Sequence, residues 1–250
     1  MIISSEYVDL PIAGARAMRT FVVQPKVPGK YPGILCYSDI FQLTGTMLRS
    51  CVRLAGYGFV VAAPEIYHRI EPAGLVIPFD DEGRNRGLEA AAKTPVTHFD
   101  EDRDVALAYL STHPNVAERQ IGVAGFCIGG HLAFRGALHP LVKGTVCFYG
   151  TGIHNGKLGA DADAGSLQLS SSIKGELLLV WGVRDPHIPL EGRQCIAKAL
   201  TEAGVQWAAR TYDAEHAFMR DEGPRYDPEA TDLAFGEMVS FYQRLLKRGS

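Results

Sequence analysis

Seven short β-rich runs, at residues 20–23, 33–37, 59–63, 121–125, 144–149, 176–181 and 207–212, alternate along the chain with helical patterns. Several of these runs are continuously apolar, as strands buried on both faces must be. Such alternation specifies a mostly parallel central sheet with helices on both faces, the α/β class. The helices carry readable ends. Thr44 is placed to cap a helix whose Met47, Cys51 and Leu54 share one face and which Gly56 stops; the segment Thr97-His98-Phe99-Asp100 opens a second; Gly204 ends a third containing Ile196 and Leu200. In the last helix Asp227 and Pro228 take the cap and first-turn positions, and Ala234, Met238, Phe241 and Leu245 form the apolar stripe. No repeat or linker divides the chain, so one domain over residues 1–250 is expected.

With 25 Lys and Arg against 28 Asp and Glu, the net charge is −3, and no global positive field exists to hold nucleic acid or an anionic membrane. No apolar run reaches the ~20 residues of a membrane span, and the start Met1-Ile2-Ile3-Ser4-Ser5-Glu6 lacks the basic and apolar regions of a signal peptide. A cytoplasmic monomer acting on a small molecule is the expectation. The five cysteines, Cys36, Cys51, Cys127, Cys147 and Cys195, are widely spaced without a C-x-x-C pair, so neither a disulfide framework nor a zinc site is indicated. Cys36, Cys51, Cys147 and Cys195 read as small hydrophobes in strands and helices.

Ligands of parallel sheets bind at the carboxyl ends of the strands, and three loops there carry chemistry. In Gly125-Phe126-Cys127-Ile128-Gly129-Gly130 an apolar strand runs into a helical segment through Gly-x-Cys-x-Gly, the nucleophile elbow with cysteine in place of serine. Small flanking residues allow the sharp turn, and the helix N-terminus favours a thiolate at Cys127. The Ile128 N–H can face a developing oxyanion. Asp185 follows the run ending at Trp181, and His216 follows the last run. The chain order nucleophile, acid, histidine is that of α/β-hydrolases, with His187 the second choice of base. The stretch 150–174 is too long for a simple connection and is expected to help line the entrance.

These motifs, with Asp39-Ile40-Phe41, Pro64-Glu65-Ile66-Tyr67 and Glu215-His216-Ala217-Phe218-Met219-Arg220, make the chain resemble the dienelactone hydrolase (carboxymethylenebutenolidase) family from about residue 31 to the last helix. The resemblance implies an α/β-hydrolase fold, Cys127 as nucleophile, His216 as base, Asp185 as orienting acid and no cofactor or metal. It makes the Ile40 N–H the partner of the Ile128 N–H in the oxyanion hole. Asp39 stands where family members carry a glutamate that helps to deprotonate the cysteine once substrate binds. Family substrates are lactones bearing a carboxylate, which arginines hold; Arg220 matches one of these. The other falls at Arg84 or Arg86, with Arg86 favoured and Arg84 read as a solvated surface residue.

The resulting expectation is a cysteine hydrolase that opens a small carboxylate-bearing lactone or enol ester through a thioester. The alternatives are a broader carboxylesterase or thioesterase, or a ligand-binding or redox-sensing protein on the same scaffold.

Overall fold

A computed structural model describes residues 1–247 of the chain. Eight strands form one sheet: β1 (Ile3–Leu10), β2 (Met18–Pro25), β3 (Tyr31–Tyr37), β4 (Val60–Pro64), β5 (Val116–Phe126), β6 (Val142–Phe148), β7 (Glu176–Gly182) and β8 (Gln206–Tyr212). Their spatial order is β1-β2-β4-β3-β5-β6-β7-β8. β1 and β2 are antiparallel additions at one edge, and the strands from β4 through β8 run parallel. Among the described residues six α-helices cover the sheet: α1 (Gly45–Gly56), α2 (Asp81–Lys93), α3 (Val96–Thr112), α4 (Ile128–Gly136), α5 (Leu190–Glu202) and α6 (Pro228–Leu246). This is the mostly parallel α/β architecture expected from the alternation, and it fits the α/β-hydrolase fold that the resemblance implies. No helix of the described residues is long and apolar enough to cross a membrane.

The expected strands are all present, some longer by several residues. Two elements were not anticipated, and each has a physical reason. β1 is an edge strand whose ISSEYVDL sequence is largely solvent-facing, so it shows no apolar run. α2 buries only the small residues Gly83, Gly87, Ala90 and Ala91, so it has no visible apolar stripe. Its start is nevertheless well capped, since Asp80 Oδ1 accepts from Gly83 N at 2.7 Å.

Helix ends also differ in detail. Thr44 sits at the N-cap of α1 but makes no side-chain cap bond, and α3 begins at Val96 behind Pro95 rather than at Thr97. α6 follows expectation: Asp227 Oδ1 accepts from Ala230 N at 2.9 Å and Pro228 opens the first turn. α6 is tied to the sheet by Tyr242, whose buried hydroxyl donates to Val123 O at 2.6 Å in β5. The strand that ends in the elbow is thereby braced from below.

Candidate active site

The turn between β5 and α4 holds Cys127 at φ 59°, ψ −119°, a left-handed conformation that costs a non-glycine residue of order 1–3 kcal/mol. Three backbone bonds maintain it: Cys127 N donates to Phe148 O at 3.1 Å, and Cys127 O accepts from Gly130 N at 2.9 Å and Thr151 N at 3.2 Å. The glycines are required by close approach. A Cβ on Gly125 would lie 1.9 Å from Gly129 O, and one on Gly129 would lie 2.2 Å from Ser38 O. The Gly-x-Cys-x-Gly spacing is therefore a steric necessity of this elbow.

The turn after β7 carries Asp185, whose side chain is fully buried. Its Oδ1 accepts from His187 N at 2.8 Å, and its Oδ2 lies 2.7 Å from His216 Nδ1. An Nδ1–H donating to the carboxylate leaves His216 Nε2 as the ring nitrogen available to the Cys127 sulfur. Burial opposes charge on this imidazole. The charge and hydrogen bond of the Cys127 sulfur, with the Asp185 carboxylate, outweigh it and push His216 up to about 9. The His216 imidazole is therefore favoured in its protonated form at neutral pH. The His216 ring rests edge-on against Tyr149 and His187, at centroid distances of 5.2 and 4.6 Å.

Two outcomes follow for titration. By NMR, the His216 ring should titrate near 9 in the native protein, and in Cys127→Ala the midpoint should fall toward the ordinary ~6.5, because burial then meets less opposing charge. A midpoint unmoved by Cys127→Ala would show that no ion pair exists. For a reaction that uses the His216 imidazolium as its proton donor, kcat/KM should decline as pH rises through about 9.

Cys127 and His216 open into a cleft of about 330 Å³ whose wall includes Ile40, Ile128, Arg220, Thr151, Leu158 and Gly159. Ile128 is the first residue of α4, where helix geometry leaves the N–H without an intrahelical partner. Ile40 stands in the loop after β3, against which α2 packs so closely that a Cβ on Gly87 would lie 2.5 Å from Ile40 O. Ile40 and Ile128, expected as oxyanion donors, both line the cleft. The 150–174 stretch also contributes to the wall, as expected.

Asp39 is committed elsewhere than to the sulfur. Its Oδ2 accepts from Arg220 Nη2 at 2.6 Å and Nε at 3.1 Å, and its Oδ1 accepts from Phe41 N at 2.9 Å. The Arg220 guanidinium is further held over the rings of Phe41 and Phe79, 4.7 and 4.8 Å from their centroids.

Of the two arginines left open by the sequence, the structure brings Arg84 to the cleft and not Arg86. Arg86 turns outward and pairs with Glu71, Nη2 to Oε2 at 2.6 Å. The reason is helical phase: Arg84, Leu88, Ala91 and Ala92 fall on one face of α2, and a residue two positions on points away. Arg84 is exposed, yet it lines the cleft rather than lying on a featureless surface.

Sequence reasoning also missed Arg225 and gave Lys157 only as part of the entrance; both line the cleft. Isolated basic residues in loops give no signal that could have marked Arg225. His131 in α4 is buried and bonded to Thr151 O and Ser166 Oγ, and burial pushes it down to about 3. Among the described residues no cluster of three His, Cys, Asp or Glu could hold a metal.

The geometry matches known proteins along the whole chain. Residues 18–246 match the family model described as "Dienelactone hydrolase family". A protein of Saccharomyces cerevisiae named "Putative carboxymethylenebutenolidase" is 35% identical over 99% of this chain and 94% of its own length. The "Carboxymethylenebutenolidase" of Pseudomonas sp. strain P51 is 28% identical over 89% of this chain and 88% of its own. A crystal structure from Klebsiella pneumoniae titled "Putative Dienelactone Hydrolase" superposes with a TM-score of 0.86 at 23% identity, covering 98% of this chain and all of that one, which shows the shared fold.

Proposed function

Because this chain belongs to the dienelactone hydrolase family and is a carboxylic ester hydrolase, we propose that it opens a small carboxylate-bearing lactone or enol ester through a thioester on Cys127. The observation that carries this reading is the placing of Cys127 and His216 together in the cleft wall, with the buried Asp185 behind the ring at 2.7 Å between Nδ1 and Oδ2.

In the proposed course, the Cys127 thiolate attacks the carbonyl carbon and the carbonyl electron pair moves onto oxygen, facing the Ile40 and Ile128 N–H groups. Collapse re-forms the carbonyl, breaks the ester C–O bond and leaves a thioester. The leaving oxygen takes the proton of the His216 imidazolium. The neutral imidazole then removes a proton from water as the water oxygen attacks the thioester, and the thiolate leaves as the imidazolium is restored. Asp185 holds the ring in the tautomer both steps need. No cofactor takes part. The strained Cys127 backbone keeps the sulfur at the mouth of the helix, so attack requires no rearrangement.

Arg220 is the group proposed to receive the substrate carboxylate. That carboxylate competes with Asp39 for the guanidinium, so binding loosens Asp39 beside the nucleophile and gives it the helper role assigned to that position by the family. A thiolate leaves a tetrahedral intermediate more readily than an alkyl oxide, so enol and other activated esters are the fitting substrates.

The test compares kcat/KM for a carboxylate-bearing dienelactone with that for neutral p-nitrophenyl acetate. The dienelactone should be favoured, and Arg220→Ala should lower its kcat/KM by about 10- to 100-fold, the worth of a charged hydrogen bond, with a much smaller loss for the neutral ester. Equal use of both esters and indifference to Arg220→Ala would instead identify a broad carboxylesterase.

A further inference from the structure

The wall of the cleft changes character along α2. Arg84, Leu88, Ala91 and Ala92 all line it, and a helix rises ~1.5 Å per residue, so the two alanines lie roughly 10 Å further along the axis than Arg84. Near the start of α2 the wall is polar: Arg84 and Arg225 both act electrostatically on His187, whose ring lies 4.6 Å from that of His216. Toward the end of α2 it is made by Leu88, Ala91, Ala92 and Leu158, none of which carries a polar side-chain atom. Lys157 beside them is exposed, so its ammonium stays in water while its stem adds apolar wall.

This apolar end is held open by the backbone. The segment carrying Leu158 is pinned at two places. Beside the elbow, a Cβ on Gly152, at φ 76°, would lie 2.0 Å from Lys157 O, and Gly152 follows the Thr151 whose N–H donates to Cys127 O at 3.2 Å. Beyond α2, Ala160 N donates to Thr94 O at 2.9 Å, and a Cβ on Gly159 would lie 2.2 Å from the same oxygen. Leu158 is thus fixed between the turn of the nucleophile and the end of α2. The alanines at 91 and 92 leave free the space that larger side chains would fill. Leu88 in this wall is 45% exposed, an apolar surface that a wholly polar substrate would leave in water.

At about 330 Å³ the cleft is of the size that takes a drug-sized ligand, and a lactone of about six carbons occupies only part of it. The leaving oxygen of the ester faces His216, which gives it a proton and which has His187 and Arg225 on its flank. The acyl side of the scissile bond then points the other way, toward Leu88, Ala91, Ala92 and Leu158. We propose that the natural substrate carries on its acyl side an apolar chain of about four to eight carbons, which this end of the cleft buries. This rests on the reading of the cleft as the substrate site and deepens it by naming the acyl group, without depending on the contact with Arg220.

The acids that such an ester releases report on the apolar end without any chemistry at Cys127. In calorimetric titration of the intact protein, octanoate should bind about tenfold or more tightly than butanoate, with hexanoate between them, the effect of partly burying the added methylenes. The octanoate-to-butanoate gap should close to within about threefold in Ala92→Trp, which fills the space from an exposed helix position, and narrow in Leu88→Asn, which makes the wall polar. The two substitutions sit on different positions of α2, so misfolding of one leaves the other to decide. Octanoate bound no more tightly than butanoate, absence of binding by all three acids, or a gap undiminished by both substitutions would overturn the proposal. Loss of ester turnover in Cys127→Ala and the response to Arg220→Ala test the proposed reaction separately.

Discussion

Replacing Cys127 with alanine should lower kcat/KM by about 10⁴-fold or more while leaving the protein folded. Removing a nucleophile that works as a unit with its base removes nearly all the covalent catalysis, and what survives comes from oxyanion stabilisation and binding. The fold should tolerate the change because the elbow is held by backbone bonds to Phe148, Gly130 and Thr151 that do not involve the sulfur. Alanine at φ 59° bears the same strain as cysteine, so the melting temperature should move by only a few degrees. Cys127→Ser should be nearly as inactive, because a serine hydroxyl is not ionised by a neighbouring imidazole. Turnover within tenfold of the native value in Cys127→Ala, read by steady-state kinetics, would assign the chemistry elsewhere.

Asp185→Asn should cost about 10³- to 10⁴-fold in kcat, the loss that follows when a buried orienting acid is replaced by its amide. The carboxylate now accepts from His216 Nδ1 at 2.7 Å and from His187 N at 2.8 Å. An asparagine can keep the second bond through its carbonyl and must then turn its NH2 toward Nδ1. That pairing forces the proton onto Nε2, so the imidazole can no longer take a proton from water when the thioester is hydrolysed. The amide also removes one of the charges that support the imidazolium, and the His216 titration should move down from about 9. Deacylation is expected to suffer more than acylation, visible as a burst of leaving group followed by slow turnover. A loss below tenfold, measured with native melting behaviour, would mean that Asp185 is only a loop-forming residue.

The parts of this molecule legible in the sequence are those where sterics or burial leave few choices. Glycines at 125 and 129 are required because backbone oxygens stand within 2.2 Å of where a Cβ would be, so the elbow is visible as a motif. The central strands are apolar throughout because both faces are covered. By contrast, α2 packs through small residues and alternates no apolar stripe, so its helical phase could not be seen. That phase decides between Arg84 and Arg86: the first faces the cleft and the second meets Glu71. Asp39 shows a different limit. Its place in the chain suggested work on the nucleophile, whereas its bonds to Arg220 and Phe41 N are long-range or loop-specific and have no sequence signature. Arg225, part of no motif but placed by the fold beside His216, belongs to the same category.

The most direct test of the account is to trap the intermediate. The protein would be mixed with an activated carboxylate-bearing ester, quenched in acid during turnover and digested, and the peptide containing Cys127 weighed by mass spectrometry. Asp185→Asn, which should stall after acylation, would serve alongside the native protein. The account predicts an acyl increment on Cys127, lost on treatment with hydroxylamine as a thioester must be, and enriched in Asp185→Asn. Product formation with no adduct on Cys127, or an adduct on another residue that rises and decays at the turnover rate, would contradict it.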